Sequence, residues 1–583
     1  MQEITIAYQR LLEQHRYKYV ALYHALREGI LNGTLPACSR LPSTRRLAEM
    51  YGVSRGIAAE AYDLLLAEGY VEAATGKGTY VSEQLRLLPH HTNHSRDHHR
   101  AAPCFDESQP ARTLSRWGQR IVQLETIQAT EAATRQETDV TARSVHIDSE
   151  RAAIAAASDP GAPSDSSASS APSMLTLANT EANDAGVAAV QTSFSNTNVS
   201  RSTRAIDSAV AKATISSPAS ISFCPQELVL HRNSLADWKT ALAAAAKDMQ
   251  SADFAGQMDT MGDWRLREAI CYHVGRTRGI CAQPEQVILY SGSQEAIVML
   301  CQLLINEHEP IVVEDPCYSG ITRAIIATGG ELIGADVDRQ GIIPADWKAR
   351  LLFVTPGRQF PTGAVLPLAR RQQLLQWADR QGAWIIEDDY DSEFRWGGRP
   401  LEPLKALDHS EQVIYVGSFS KSMFSALRIG YAIVPSSLIP ALIAAKKLYA
   451  PLPSSPLEQR ALARFMQHGD YMRHLRRMTR LYRPRFQQLY RLLTSHLSEL
   501  FDWIETDSGL HIYGSWRLER AAYERFYEQA TKLGVVWKDA SIYHLSAALP
   551  SVCFSFAHTD EQQIRQGVER LELAWKRTLE YRL

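Results

Sequence analysis

Between residue 84 and about residue 219 the chain loses the features of a sequence that can build a core. The stretch is rich in Ala, Ser, Thr, Asn and Asp, poor in aromatics, and carries no sustained apolar period. Such a segment cannot bury enough apolar surface to offset its conformational entropy, so a disordered linker is expected there. That break decides the organisation. A chain of 583 residues is too long for one ordinary core. The break leaves residues 1–83 and residues 220–583 to fold as separate domains. Within the linker, Leu114–Gln128 has the pattern of a short helix able to dock. His90, His91, His94, His98 and His99 could catch a metal, but they read as a solvated low-complexity tract, and no metal site is expected.

The N-terminal part reads as three helices and a hairpin. Tyr19–Asn32 has apolar positions at helical spacing and stops at Asn32-Gly33. Pro42-Ser43 supplies a second helix start with Ser43 as cap, and that helix runs to Met50 or Tyr51. Gly52-Val53 makes a tight turn, and Ser54 caps a third helix through Leu66. Tyr70-Val71 and Thr79-Tyr80-Val81 flank Gly76-Lys77-Gly78 as a two-stranded wing. This is helix-turn-helix spacing, with the last helix placed to read a duplex. The run LPSTRRLAEMYGVSRGIAAEAYDLLLAEGYVEAATGKGTYV closely resembles the winged helix-turn-helix of the GntR regulators. The resemblance implies double-stranded operator DNA as partner, facing Arg45, Ser54, Arg55, Gly56, Gly76 and Lys77. Arg45 and Arg55 could serve phosphates or guanine edges. Cys38 stands where that family usually has glycine, a departure that bears on loop geometry. The plain alternative is a small helical domain that binds protein.

From Ile221 the periodicity returns. Strands at Gln286–Tyr290, Pro310–Glu314, Arg350–Val354, Trp384–Ile386 and Val413–Val416 alternate with helices such as Pro367–Arg380. That alternation predicts a mostly parallel sheet flanked by helices. Mixed segments after Pro451 suit a smaller C-terminal α+β subdomain, about residues 452–583. The last of these strands runs into Gly417-Ser418-Phe419-Ser420 and then Lys421, with Arg428 seven residues on. A lysine just past a buried strand can form an imine with a carbonyl cofactor. Ser418, Ser420 and Arg428 can hold a phosphate beside it, which points to pyridoxal 5'-phosphate (PLP). Trp384-Ile385-Ile386 delivers an acidic run, Glu387 to Glu393, where open α/β sheets bind their ligands. Asp388 there can keep the PLP pyridine nitrogen protonated, and Tyr390 can reach the ring hydroxyl. The Ser291-Gly292-Ser293 turn opens a helix at Gln294, offering free N–H groups to a phosphate.

Together, EDDYDSEF and GSFSKSMFSALRIGY resemble the effector domain of the MocR branch of the GntR regulators, itself similar to a fold-type I aminotransferase. The resemblance covers about residues 1–82 and 220–583. It implies a multidomain fold: a mainly α winged helix-turn-helix, then an α/β PLP-dependent transferase of fold type I with its smaller subdomain. It implies an internal aldimine on Lys421 and stacking of Tyr318 on the pyridine ring, with Ser293 and Gln294 at the cofactor. TPGRQFPTG resembles the family's TPxHQxPTG loop, with Arg358 for the usual histidine and Gln359 near the ring edge.

Two further departures bear on function. Aminotransferases clamp the substrate carboxylate with an arginine in a segment like RLxFA; the matching segment here is Cys553-Phe554-Ser555-Phe556-Ala557. A thiol cannot make that bidentate contact. Gln257 stands where a tyrosine often reaches the partner subunit's cofactor. The expectation is a homodimeric, PLP-dependent transcription regulator sensing PLP or a small amine, with no catalytic residue in use. The competing reading is an aminotransferase with an accessory N-terminal domain. A net charge of −2 gives no global basic field. Eight scattered cysteines without CxxC spacing argue against a zinc or disulfide framework. With no apolar leader or bilayer-length run, no membrane partner and a cytoplasmic location are expected.

Overall fold

The computed structural model describes residues 8–14, 18–31, 33–67, 70–74, 78–82, 112–124, 220–224, 232–250, 259–396, 402–546 and 550–580. The five histidines, Gly76, Lys77, Gln257, and the expected linker apart from residues 112–124 lie outside them.

The N-terminal part contains α1 (Tyr8–Gln14), α2 (Lys18–Leu31), α3 (Thr44–Tyr51), α4 (Arg55–Ala67), β1 (Val71–Ala74) and β2 (Gly78–Val81). Its helix starts are those the residue types dictate. Ser43 Oγ accepts the Arg46 N–H at 3.3 Å, and Ser54 Oγ accepts that of Ile57 at 3.3 Å. Leu22, Leu26, Leu47, Ala58 and Leu65 from three of the helices share one core. Cys38 sits at φ 63°, the left-handed region that glycine enters freely and that costs other residues about 1–2 kcal/mol.

The C-terminal part is built on an eight-stranded sheet of order β4-β11-β10-β9-β8-β5-β6-β7. Its strands are β4 (Val287–Tyr290), β5 (Pro310–Asp315), β6 (Glu331–Asp338), β7 (Gly341–Ile342), β8 (Leu351–Val354), β9 (Trp384–Asp389), β10 (Val413–Ser418) and β11 (Gly430–Ile433). The run from β10 through β9, β8 and β5 to β6 is parallel; β11 and β7 are antiparallel to their neighbours. Residues of β9 and β10 are buried up to their last positions, as continuous apolar strands in a two-sided sheet must be. The smaller subdomain carries an antiparallel sheet of β12 (Phe501–Trp503), β13 (His511–Trp516), β16 (Ser551–Ser555) and β15 (Lys538–Asp539). One pairing was not legible in sequence: Ile221–Ser222 (β3) runs parallel to Val535–Val536 (β14), so the start of the effector domain belongs to the smaller subdomain.

Residues 112–124, inside the stretch read as linker, are docked on the sheet, with a helix over 116–124 where a short helix was expected. Arg112 donates to Ala383 O at 3.1 Å and Gln412 Oε1 at 2.6 Å, at the entries to β9 and β10. Ser115 Oγ donates to Gln302 O at 2.6 Å, and Trp117 stacks on Tyr449. Gly118 permits the approach, since a Cβ there would lie 2.9 Å from the Leu303 carbonyl oxygen.

The winged domain is seated on the effector domain through Glu402. Its carboxylate takes Arg27 Nη2 at 2.5 Å and the Tyr70 hydroxyl at 2.9 Å, and only 8% of that side chain is exposed. Arg27 also donates to Tyr70 at 3.2 Å, and Leu368 packs against the winged-domain core. Removing one partner of a buried pair strands the other, at about 3–5 kcal/mol. Glu402→Ala should therefore free the winged domain: calorimetry is expected to show it melting as a separate, earlier transition, where the parent melts with the two parts coupled.

Candidate functional site

Successive residues of β9 point to opposite faces, which separates its three terminal carboxylates. Glu387 accepts the backbone N–H groups of Leu404 at 3.0 Å and Lys405 at 2.9 Å. Asp389 holds Arg278 at 3.2 Å and receives the hydroxyls of Tyr415 and Ser392. Asp388, between them, is buried, and its Oδ1 has no partner among the described residues. Burial, with Asp389 and Asp391 nearby, pushes its carboxyl up to about 7.

The register of β10, β11 and β4 places Ser418, Gly430 and Tyr290 side by side, and Arg428 reaches the turn after β4, while Lys421 lies where its charge acts on Asp391 and Cys553. The helix Ser293–Leu304 starts there with no side-chain cap. Gly292 has φ 109°, and a Cβ on it would lie 2.9 Å from Arg428 Nη2, so the guanidinium rests against the turn. Ser418 Oγ accepts the Ser420 N–H at 3.1 Å. An uncapped helix start beside an arginine is an anion site. Gln294 donates to Gly320 O at 2.9 Å, tying this turn to the loop that carries Tyr318; its Oε1 is buried without a partner among the described residues. Tyr318 is 38% exposed and meets Phe360 edge-on.

Arg358 is used differently from the histidine it replaces. It is 3% exposed and paired with Asp391 at 3.0 Å. It also donates to the Tyr390 hydroxyl at 3.0 Å, Ser508 O at 3.1 Å and His511 O at 2.7 Å. Every nitrogen of the guanidinium is thus engaged. Tyr390 accepts from Arg358 and keeps its own proton to donate. Gln359, expected near the ring edge, ties its loop to the one that carries Tyr318: it donates to Pro316 O and Phe360 O at 2.7 Å each and accepts from Thr362. Cys553 is fully buried on β16, with the charges of Arg358, Lys421 and Asp391 around it, and burial pushes its thiol up to about 12. It stays neutral where a substrate carboxylate would need a cation.

In the winged domain, Arg45 is 84% exposed with a long 3.4 Å contact to Glu49, and Ser54, Arg55 and Gly56 are exposed at the start of α4. Arg46 is exposed beside Arg45, and Arg40 lies along the wing against Gly78. Neither was singled out in sequence, although Arg46 adjoins Arg45.

Residues 18–81 match the model of bacterial regulatory proteins of the gntR family, and residues 228–571 that of aminotransferase class I and II. The probable rhizopine catabolism regulatory protein MocR of Rhizobium meliloti is 30% identical over 95% of this chain and 93% of its own length. The chain belongs to the MocR-type regulators. The HTH-type transcriptional regulator TauR of Rhodobacter capsulatus is 35% identical over 49% of this chain and 56% of its own. The kynurenine aminotransferase of Pyrococcus horikoshii shares the fold, with a TM-score of 0.59 at 23% identity over 64% of this chain and 95% of that one.

This MocR-type regulator is thus a DNA-binding transcription regulator whose second domain takes PLP. Its own residues fit that cofactor. The orphaned Asp388 Oδ1 suits a protonated pyridine nitrogen, and the Gly292 turn with Arg428 suits a phosphate. When bound, PLP supplies an electron-withdrawing ring and a carbonyl open to amines. Among the described residues, none gather into a metal-binding group, and no helix is long and apolar enough to cross a membrane.

Asp388→Asn should retain PLP poorly through dialysis, read as cofactor absorbance per chain. Without cofactor, the folded Asp388 keeps its proton to about 7, while an unfolded aspartate loses it near 3.8. Stability therefore falls as pH rises between those values. Melting curves from about pH 5 to about pH 8 should show a smaller loss in Asp388→Asn than in the parent.

Proposed function

We propose that the aminotransferase-type domain is a sensor rather than a working transaminase. In this reading Lys421 holds PLP covalently, and Asp388, Tyr390, Ser418, Ser420, Arg428, Ser293, Gln294 and Tyr318 surround it. The signal is PLP itself or a small amine without an α-carboxylate, and it changes operator affinity. The observation that carries the choice of ligand is the pairing of Cys553 with Arg358. The clamp position holds a neutral buried thiol, and the charge of the neighbouring arginine is already matched by Asp391, with each of its nitrogens bonded to a protein acceptor. Arg45, Ser54, Arg55, Gly56, Gly76 and Lys77 meet the operator. The active form is a homodimer in the cytoplasm, since aminotransferase-type sites are generally completed at a two-fold interface.

The test is a visible absorbance titration of the full chain with PLP. A band that is absent in Lys421→Ala and trapped by borohydride is expected. Simple amines should shift it at lower concentration than α-amino acids of similar size. Sustained turnover of an amino acid and keto acid pair at about 1 per second or faster, the ordinary enzyme range, would contradict the sensor reading.

A further inference from the structure

The helix Asp470–His496 crosses the back of the effector domain and has two unlike faces. Tyr471, Leu475, Met478, Tyr482, Phe486, Leu489 and Leu493 are buried along one of them. After Asp470 the helix carries seven arginines and no carboxylate. Arg473 is held by Asp470 and Arg477 by Asp237, and Arg485 donates to Ala557 O at 2.6 Å. Arg476, Arg480, Arg483 and Arg491 are exposed and form no ion pair among the described residues. Their spacing puts them on one face, along about 22 Å of helix axis. A solvated helix face ordinarily interleaves both signs, because i,i+4 pairs stabilise it and like charges at that spacing do not. Glu569 of the packed C-terminal helix lines a cleft with Arg491, but the helix itself offers Arg476, Arg480 and Arg483 no acid, and in a chain with net charge −2 that is a local feature needing its own cause.

We propose that this ridge binds the sugar-phosphate backbone of duplex DNA flanking the operator, so that the effector domain adds phosphate contacts to those of the winged domain. Three observations favour DNA as the occupant. The side chains are arginines, whose planar fork pairs with phosphate oxygens bidentately. The length of the ridge is about two-thirds of a duplex turn. The third is continuity with the winged-domain seat: Tyr482 packs edge-on against Phe394 at 5.3 Å, and Phe486 stacks on Trp396 at 6.0 Å. In sequence, Phe394 and Trp396 lie within eight residues of Glu402, which holds Arg27 and Tyr70, so the ridge helix and the DNA-binding domain each pack against this short span of the chain. The proposal rests on DNA binding by the chain and not on the identity of the effector.

The experiment uses the PLP-loaded full chain and a duplex it selects from a random pool, either trimmed to the bare site or carrying about 20 base pairs on each side. Affinity is measured by fluorescence anisotropy across a salt series. Each phosphate neutralised adds about 0.9 to the steepness of log affinity against log salt. The parent is expected to bind the flanked duplex more tightly, with a slope steeper by about 2–3 than on the bare one. The triple variant Arg476→Gln, Arg480→Gln, Arg483→Gln should lose that increment and bind the bare duplex unchanged. The corresponding triple lysine variant, which keeps the charge, should retain most of the increment. The cofactor absorbance of each variant reports an intact effector domain. A parent with equal slopes on both duplexes overturns the proposal, leaving the ridge to an acidic protein or to water. So does a glutamine variant that keeps the increment, one that weakens both duplexes equally, or a lysine variant that loses the increment.

Discussion

Three carboxylates side by side at the end of a buried strand are costly to desolvate, and the molecule is arranged around how β9 meets that cost. Glu387 is met by two backbone N–H groups, and Asp389 by a buried arginine and two hydroxyls. Asp388 is left without a partner for one oxygen among the described residues, and that omission suits a protonated ring nitrogen. A buried acceptor with no donor is unfavourable in isolation, so the group that supplies the missing charge is bound partly by relieving it. At its other end β9 begins beside Ala383, whose carbonyl receives Arg112 from the docked segment 112–124. The strand is therefore held at its start by the chain that precedes the effector domain, while its end leaves one oxygen of Asp388 open.

The same acids connect the cofactor position to the DNA-binding domain. Glu387 fixes Leu404 and Lys405, Arg371 donates to the Glu402 carbonyl at 2.9 Å, and the Glu402 side chain grips Arg27 and Tyr70. From Asp388 to the winged domain there are only a few bonded contacts, all buried or half-buried. Contiguity alone does not make a switch; the ligand must favour one arrangement of this loop over another. The buried ion pair gives the loop something discrete to make or break. Its loss strands two polar groups, so intermediate positions are disfavoured.

Much of this was legible in the sequence, for reasons that are local. Ser43 and Ser54 each announce a helix by a hydroxyl that accepts an N–H within the next turn, and both do so. The apolar run into Glu387-Asp388-Asp389 fixed the strand, and the strand fixed which end carries chemistry. The illegible parts were long-range. Nothing near Glu402 in sequence marks it as the partner of residues 27 and 70. Arg358 was visible as a substitution, but its capture by Asp391, Ser508 and His511 depends on how the smaller subdomain closes over the loop. Gln359 was legible as a motif position, but a motif position says only where a side chain starts, not that the carbonyls of Pro316 and Phe360 take its amide. Leu114–Gln128 showed a helical pattern, yet the docking of residues 112–124 required the starts of β9 and β10 and the helix Ser293–Leu304 to come together first.

If PLP alters operator affinity, thermodynamic reciprocity requires the operator to alter PLP affinity by the same factor. The dissociation constant for PLP should be measured with and without saturating operator duplex, and that for the duplex with and without PLP. Two ratios are expected that differ from one, are equal to each other, and collapse toward one in Glu402→Gln. A PLP affinity unchanged by saturating operator would contradict the coupling.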